Sequence, residues 1–190
     1  SGSNFIGCLK EIELISSGSF AITGNNFSVK KPDACPSSTS EVKGVEIRGV
    51  TTGFSLSRNG FDGQDSPTEI LIGTDCIALE EGMDNTIFKN DYTNLIIGNR
   101  ASGFNGYDED GLLYLCNTND NNSDGDFRIA GGSIRKTQGE IVFGQPVQAA
   151  GNIFSISSTG FWCTIANEGA PIDYYFYNGD PAQDPGMPDD

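Results

Sequence analysis

The sequence predicts an all-β domain: a sandwich, jelly roll or barrel of many short antiparallel strands, with a β-helix as the alternative. Three observations predict it. Glycine occurs 25 times in 190 residues while apolar residues make up only 36%, a balance that suits short strands and tight turns better than long helices. Apolar residues come in short runs or in alternation with polar ones, the period of a strand. Clusters of Gly, Asn and Asp punctuate the chain, giving about a dozen strands at intervals of roughly 8–15 residues. No internal repeat of fixed period is visible, which ranks the sandwich above the solenoid. Turns rich in Gly, Asn and Asp nevertheless suit β-helix corners.

The elements follow in order. Residues 9–14 and 19–23 alternate, a Gly24-Asn25-Asn26 turn follows, and 27–29 continue beyond it, which reads as a hairpin. Residues 31–40 form a loop rich in Pro and Ser. Residues 42–50 and 54–57 repeat the period of two, and 59–63 are a turn cluster. A strand begins at 69–72, and 76–81 are either a strand or one helical turn. Residues 94–98 and 111–116 are apolar runs bounded by turn residues, as in buried strands. Residues 126–130 alternate, 140–143 lead to a Gly144-Gln145-Pro146 corner, and 152–156, 161–165 and 172–177 complete the set. Residues 1–177 form one β domain, or two β units divided near 91–103. The segment 178–190, with three prolines and four aspartates, is expected to be a flexible tail.

Charge and composition exclude several functions. With 26 acidic and 11 basic residues the net charge is −15, so phosphate backbones and anionic bilayers repel the chain. No run approaches the ~18–20 apolar residues of a membrane helix. Neither nucleic acid nor membrane insertion is expected. Histidine is absent, which removes Ser-His-Asp and Cys-His nucleophile systems and His-based metal sites. Carboxylate chemistry such as glycoside hydrolysis passes this filter.

The five cysteines are 27 or more residues apart, which rules out CxxC metal knuckles and thioredoxin-like motifs. Cys8 and Cys35 share the N-terminal segment and are the preferred disulfide pair.

The sharpest motif is Asp120-Asn121-Asn122-Ser123-Asp124-Gly125, with Asp126 next. Oxygen ligands at alternate positions and a Gly for the sharp turn suit a hard cation, so Asp120, Asn122, Asp124 and Asp126 are candidate Ca²⁺ ligands. An EF-hand is excluded, because Gly131 stands at the twelfth position and no helices flank the loop. The same residue types also make an ordinary strand-to-strand turn. Asp108-Glu109-Asp110 is a second acidic run, read as a turn. Aromatic residues crowd the C-terminal part, where Trp162, Tyr174, Tyr175 and Tyr177 form a candidate surface for a sugar ring or a protein partner.

Residues 139–147 resemble a run found in small phage capsid-decoration β-barrels, and residues 4–14 resemble the F-x-G-C motif that closes laminin-G sandwiches. The first resemblance implies a virion or surface assembly protein and transfers no site residues. The expected function is therefore a non-catalytic structural or adhesive module, extracellular, on a cell surface or on a virion. It would assemble with itself as a homo-oligomer or with other surface proteins. The alternative is a calcium-supported, lectin-like carbohydrate-binding module that takes glycans, and a carboxylate glycosidase or lyase ranks third.

Overall fold

The computed structural model describes residues 4–5, 10–15, 18–31, 41–49, 52–63, 69–79, 82–139, 149–155, 164–177, 179 and 181–184. The chain winds as a parallel β-solenoid of about 4 turns. After β1 (Asn4–Phe5), the first turn holds β2 (Lys10–Ile15), β3 (Ala21–Thr23) and β4 (Asn26–Ser28). The second holds β5 (Glu41–Gly49), β6 (Ser55–Ser57) and β7 (Gly60–Asp62), and the third β8 (Ile70–Ala78), β9 (Thr86–Phe88) and β10 (Asp91–Thr93). The fourth holds β11 (Ile97–Tyr107), β12 (Asp110–Gly111), β13 (Leu113–Leu115) and β14 (Thr118–Asp120). The top comprises β15 (Gly125–Ile129), β16 (Ser133–Ile134), β17 (Thr137–Gln138), β18 (Ile165–Asn167), β19 (Asp173–Tyr174) and a 3₁₀ turn, Pro181–Gln183.

Equivalent strands stack into three sheets: sheet 1 runs β2-β5-β8-β11-β15-β18, sheet 2 runs β3-β6-β9-β13, and sheet 3 runs β1-β4-β7-β10-β14. The all-β class holds, but the antiparallel sandwich or barrel gives way to its alternative, the β-helix. The physical reason lies in the corners. β3 and β4, which read as a hairpin about Gly24-Asn25, belong to different sheets: β3 pairs in parallel with β6 and β4 with β7. Lys10, Lys43, Ile72, Ile97 and Gly125 stack in register, so successive turns take 33, 29, 25 and 28 residues. Excursions of varying length between the sheets hide the period. β10 and β11, which span the suggested division near 91–103, pair with the turn below and the turn above. In the expected tail, Ala182 C=O accepts the Phe154 N–H at 2.9 Å.

One corner recurs with the same chemistry. Gly24, Arg58, Lys89, Cys116 and Gly151 adopt positive φ, the left-handed conformation that turns the chain. Each precedes an asparagine: Asn25, Asn59, Asn90, Asn117 and Asn152. The backbone N–H of each of the first four donates to the side-chain Oδ1 of the next, at 2.9–3.0 Å. The Nδ2 groups of Asn59, Asn90, Asn117 and Asn152 donate to the carbonyls of Ile22, Leu56, Ile87 and Tyr114. Buried amides satisfied in this way lock adjacent turns together.

The core stands beside this ladder. Two residues after the asparagine come Phe27, Phe61 and Tyr92, whose rings stack at 4.7 and 4.9 Å, a favourable aromatic geometry. On the fourth turn that position is Asn119, and Tyr114 fills the space from sheet 2, stacks on Phe127 at 4.4 Å and donates its hydroxyl to Asn119 Oδ1. Facing the rings, sheet 1 has glycines. A Cβ at Gly44 would lie 2.7 Å from the Phe61 ring, and one at Gly73 would lie 2.5 Å from the Tyr92 ring. Only a bare backbone admits the aromatic stack there.

Candidate functional site

The acidic loop identified in the sequence sits at the end of sheet 3. Register places Ser28, Asp62, Thr93 and Asp120 in one row across the outer face of that sheet. A second row holds Asn26, Gly60, Asp91 and Thr118. The inward residues between the rows, Phe27, Phe61 and Tyr92, belong to the core, so strand alternation alone turns Asp62, Asp91 and Asp120 outward. A shallow groove of ≈ 330 Å³ lies on this face, lined by Asn26, Gly60, Asp62, Asp91 and Thr93 among others. None of Asp62, Asp91 and Asp120 forms an ion pair with a described residue.

The candidate calcium ligands divide between two sides of the corner. Asp120 is exposed at the end of the row. Asn121, at φ 56°, donates from Nδ2 to Asn94 Oδ1 at 2.7 Å and so extends a second, outer amide ladder. Asn122 turns inward, where its Oδ1 accepts the Leu95 N–H and its Nδ2 donates to Asp126 Oδ1 at 2.9 Å. Asp124 pairs with Arg128 at 3.3 Å. Asp126 is buried and accepts the Ser155 N–H and hydroxyl, both at 2.7 Å. Burial raises its carboxyl above the ordinary range, opposed by the hydrogen bonds from Ser155 and Asn122. The structure thus brings Asn122 and Asp126 together and points Asp120 elsewhere. Among the described residues no group of three or more Asp, Glu or Cys converges as a metal set.

The C-terminal aromatics also divide. Tyr174 is half-buried, tilts against Phe154 at 5.8 Å and accepts at its hydroxyl from Asn152 Nδ2, capping the asparagine ladder. Tyr175, Phe176 and Tyr177 are exposed. Trp162 lies outside the described residues, as do Cys8 and Cys35. Cys76 and Cys116 are free thiols, the first buried in the core.

The densest charge cluster escaped the sequence reading. On the outer face of sheet 1, Glu46, Asp75 and Arg100 are register partners on successive turns. Arg100 forks onto Asp75 at 2.8–3.0 Å and onto Glu41 at 2.8–3.0 Å. Lys43 bridges Asp75 at 2.5 Å and also contacts Glu46, which takes Lys10 at 2.7 Å and Arg48 at 3.1 Å. Glu46 and Asp75 are fully buried. Burial pushes the Glu46 carboxyl up, but hydrogen bonds from Lys10 and Lys43 prevail and bring it to about 2. Glu46 is held ionised by these cations and so offers no general acid. Finding this cluster from sequence requires the turn register, because its members are 25–29 residues apart and the step varies.

Glu11 has the opposite environment. It occupies the stack position that Gly44, Gly73 and Gly98 hold on the next three turns. Both of its oxygens are buried and lack a hydrogen-bond partner among the described residues. Burial pushes its carboxyl up to about 8.

Compared with known proteins, the chain matches no family model, no curated protein and no solved structure.

Proposed function

We propose that this chain is a non-catalytic structural or adhesive module, extracellular or on a cell or virion surface, that works by presenting its solenoid faces for assembly. One observation carries this reading: two sets of buried polar side chains within the described solenoid are committed to ladders between turns. The asparagine amides bond turn to turn, and the buried Glu46 and Asp75 of sheet 1 are matched by cations. Such ladders make a stiff, stacked shaft in which each turn supports its neighbours. The outer faces are then the part that meets other molecules. The test is to incubate the labelled chain with intact cells or particles of its source and to measure its assembly by light scattering. Attachment or oligomerisation supports the reading. A strict monomer that attaches to nothing, or turnover of a glycoside abolished by one Asp or Glu substitution, would overturn it.

A carbohydrate-binding role is the second reading, supported by the groove on sheet 3 lined by Asn26, Asp62, Asp91 and Thr93 and by the exposed Tyr175 and Tyr177. Carboxylates and amides suit sugar hydroxyls, tyrosine faces suit sugar rings, and a Ca²⁺ ion at Asp120 would shape the neighbouring corner. Glycan-array binding that falls with Asp62→Asn plus Asp91→Asn places the sugar on sheet 3. Binding lost only with Tyr175→Ala plus Tyr177→Ala places it on the C-terminal cap.

A further inference from the structure

Exposed apolar residues occur at several places, Ile15 and Tyr177 among them, and three of the most exposed, Leu79, Phe104 and Tyr107, lie toward the end of sheet 1. β11 runs past the end of sheet 1 and turns back through Asp108 and Glu109 into β12, its antiparallel partner. On this extension Phe104 is 61% exposed and Tyr107 is 64% exposed. Phe104 pairs with Ser133 of β16. Ala78 pairs with Gly103 one residue earlier, which puts Leu79, 69% exposed, on the neighbouring turn beside Phe104. Large side chains this open are costly unless something covers them.

Both Phe104 and Tyr107 line a cavity of ≈ 520 Å³, together with Gly106, Gly132, Ser133 and Ala170. Its floor is bare backbone for a steric reason: a Cβ on Gly132 would fall 2.0 Å from Gly103 O, and one on Gly106 would fall 2.2 Å from Gly111 Cα. The Ser133 hydroxyl is committed to Gly106 O at 2.5 Å. The pocket therefore offers two aromatic side chains and little free hydrogen bonding.

Its rim is acidic. Asp108, Glu109 and Asp110 are all exposed on the turn immediately after Tyr107. Nearby, Arg128 engages Glu168, and Lys136, whose backbone N–H donates to Asp108 C=O, lies 3.7 Å from Asp173. Three carboxylates thus stand on a turn against two bases, Arg135 and Lys136, in the segment joining β16 to β17. A second copy of a chain carrying −15 would bring like charge against this rim. A cationic side chain with an apolar stem meets both features, its stem and charge over the aromatic faces and its head toward the carboxylates.

We propose that the Phe104–Tyr107 pocket and its Asp108–Asp110 rim bind an extended, lysine- or arginine-rich segment of a partner protein carrying apolar anchors. This deepens the assembly role above by naming the surface and the partner's chemistry, and it rests on that reading.

The test uses the full chain and a fluorescent dodecapeptide of alternating lysine and leucine, followed by anisotropy in low and physiological salt. Lysine–serine and glutamate–leucine peptides serve as controls. The lysine–leucine peptide should bind, and each control should bind at least tenfold more weakly. Phe104→Ser with Tyr107→Ser should weaken binding at least tenfold. Asp108→Asn, Glu109→Gln and Asp110→Asn together should weaken it comparably and flatten its salt dependence. Asp62→Asn with Asp91→Asn, on the far sheet, should leave it unchanged. Equal binding of the lysine–serine peptide, or equal loss from the far-sheet variant, would reduce the effect to diffuse charge and overturn the proposal. A dimer that dissociates on Phe104→Ser and Tyr107→Ser would make the occupant a second copy, and glycan binding lost with those changes would make it a sugar; either overturns the proposal. Retained attachment to cells or particles by the pocket variants defeats this site alone, whereas a chain that attaches to nothing defeats the broader reading.

Discussion

The outer faces of sheets 1 and 3 carry carboxylates in two contrasting states. On sheet 1, Glu13, Glu41, Glu46 and Asp75 meet Lys10, Lys43, Arg48 and Arg100, four charges of each sign joined in one network. On sheet 3, Asp62, Asp91 and Asp120 stand on the surface beside hydroxyls and amides, without a cation among the described residues. Only 11 bases are available to 26 acids, and four of those bases gather on one face. The contrast teaches that acidity here is not uniform: it is paired with cations at the buried Glu46 and Asp75 and left open at the aspartates of sheet 3. Burial is what makes pairing obligatory, since an ionised group taken from water without a partner is strongly destabilising.

The comparison is broken most severely by removing a cation from sheet 1. Arg100→Met should cost about 3–5 kcal/mol, because Asp75 stays buried with half its partners gone. Asp91→Asn on sheet 3 should move stability by no more than about 0.5 kcal/mol. Urea unfolding measures both, and equal effects would erase the distinction.

A pH titration of the melting temperature comes next. Glu46 and Glu41 are held below the ordinary carboxylate value of 4.5, so their contribution is present above 4.5 and is lost as pH falls toward 2. Glu11 is raised to about 8, so its contribution is present below 4.5 and is lost as pH rises through 8. Glu11→Gln should flatten the alkaline limb and leave the acid limb intact. A variant that keeps the full alkaline slope would show that some other group controls it.

Replacing Asp62, Asp91 and Asp120 together by Asn should change stability by less than about 1 kcal/mol. It should also abolish any rise in melting temperature on adding Ca²⁺ to the chelated protein. A calcium response that survives these changes would move the ion away from sheet 3. Salt supplies the last comparison. Raising NaCl from 0.05 to 0.5 M screens the exposed aspartates and should stabilise the parent chain by up to about 1 kcal/mol, with a smaller gain in the triple variant. A loss of stability in salt would mean that the ion pairs of sheet 1 dominate instead.

Several parts of this arrangement are legible in the residues themselves. The corner signal is an asparagine two positions before an aromatic: Asn25 and Phe27, Asn59 and Phe61, Asn90 and Tyr92, Asn152 and Phe154. Each such asparagine follows a residue of positive φ. The spacing is irregular and Asn119 replaces the aromatic on the fourth turn, so no fixed period exposes the pattern. The loop at Asp120 to Asp126 is visible as a cluster of oxygen ligands. Its division into an outward Asp120 and an inward Asp126 depends on which side of a sheet each falls.

By itself the sequence determined the class of element, the turn positions, the acidity and the lack of histidine chemistry. Strand alternation and turn propensity are local, and charge is additive. The tertiary structure decided that the strands pair in parallel, turn upon turn. It also decided that Lys43 meets both Glu46 and Asp75, and that the Tyr174 hydroxyl caps the asparagine ladder while Tyr177 faces water. Those outcomes depend on register between segments some 25–40 residues apart, and register is set by the fit of the Phe27, Phe61 and Tyr92 rings against Gly44 and Gly73. That fit exists only once the turns are stacked.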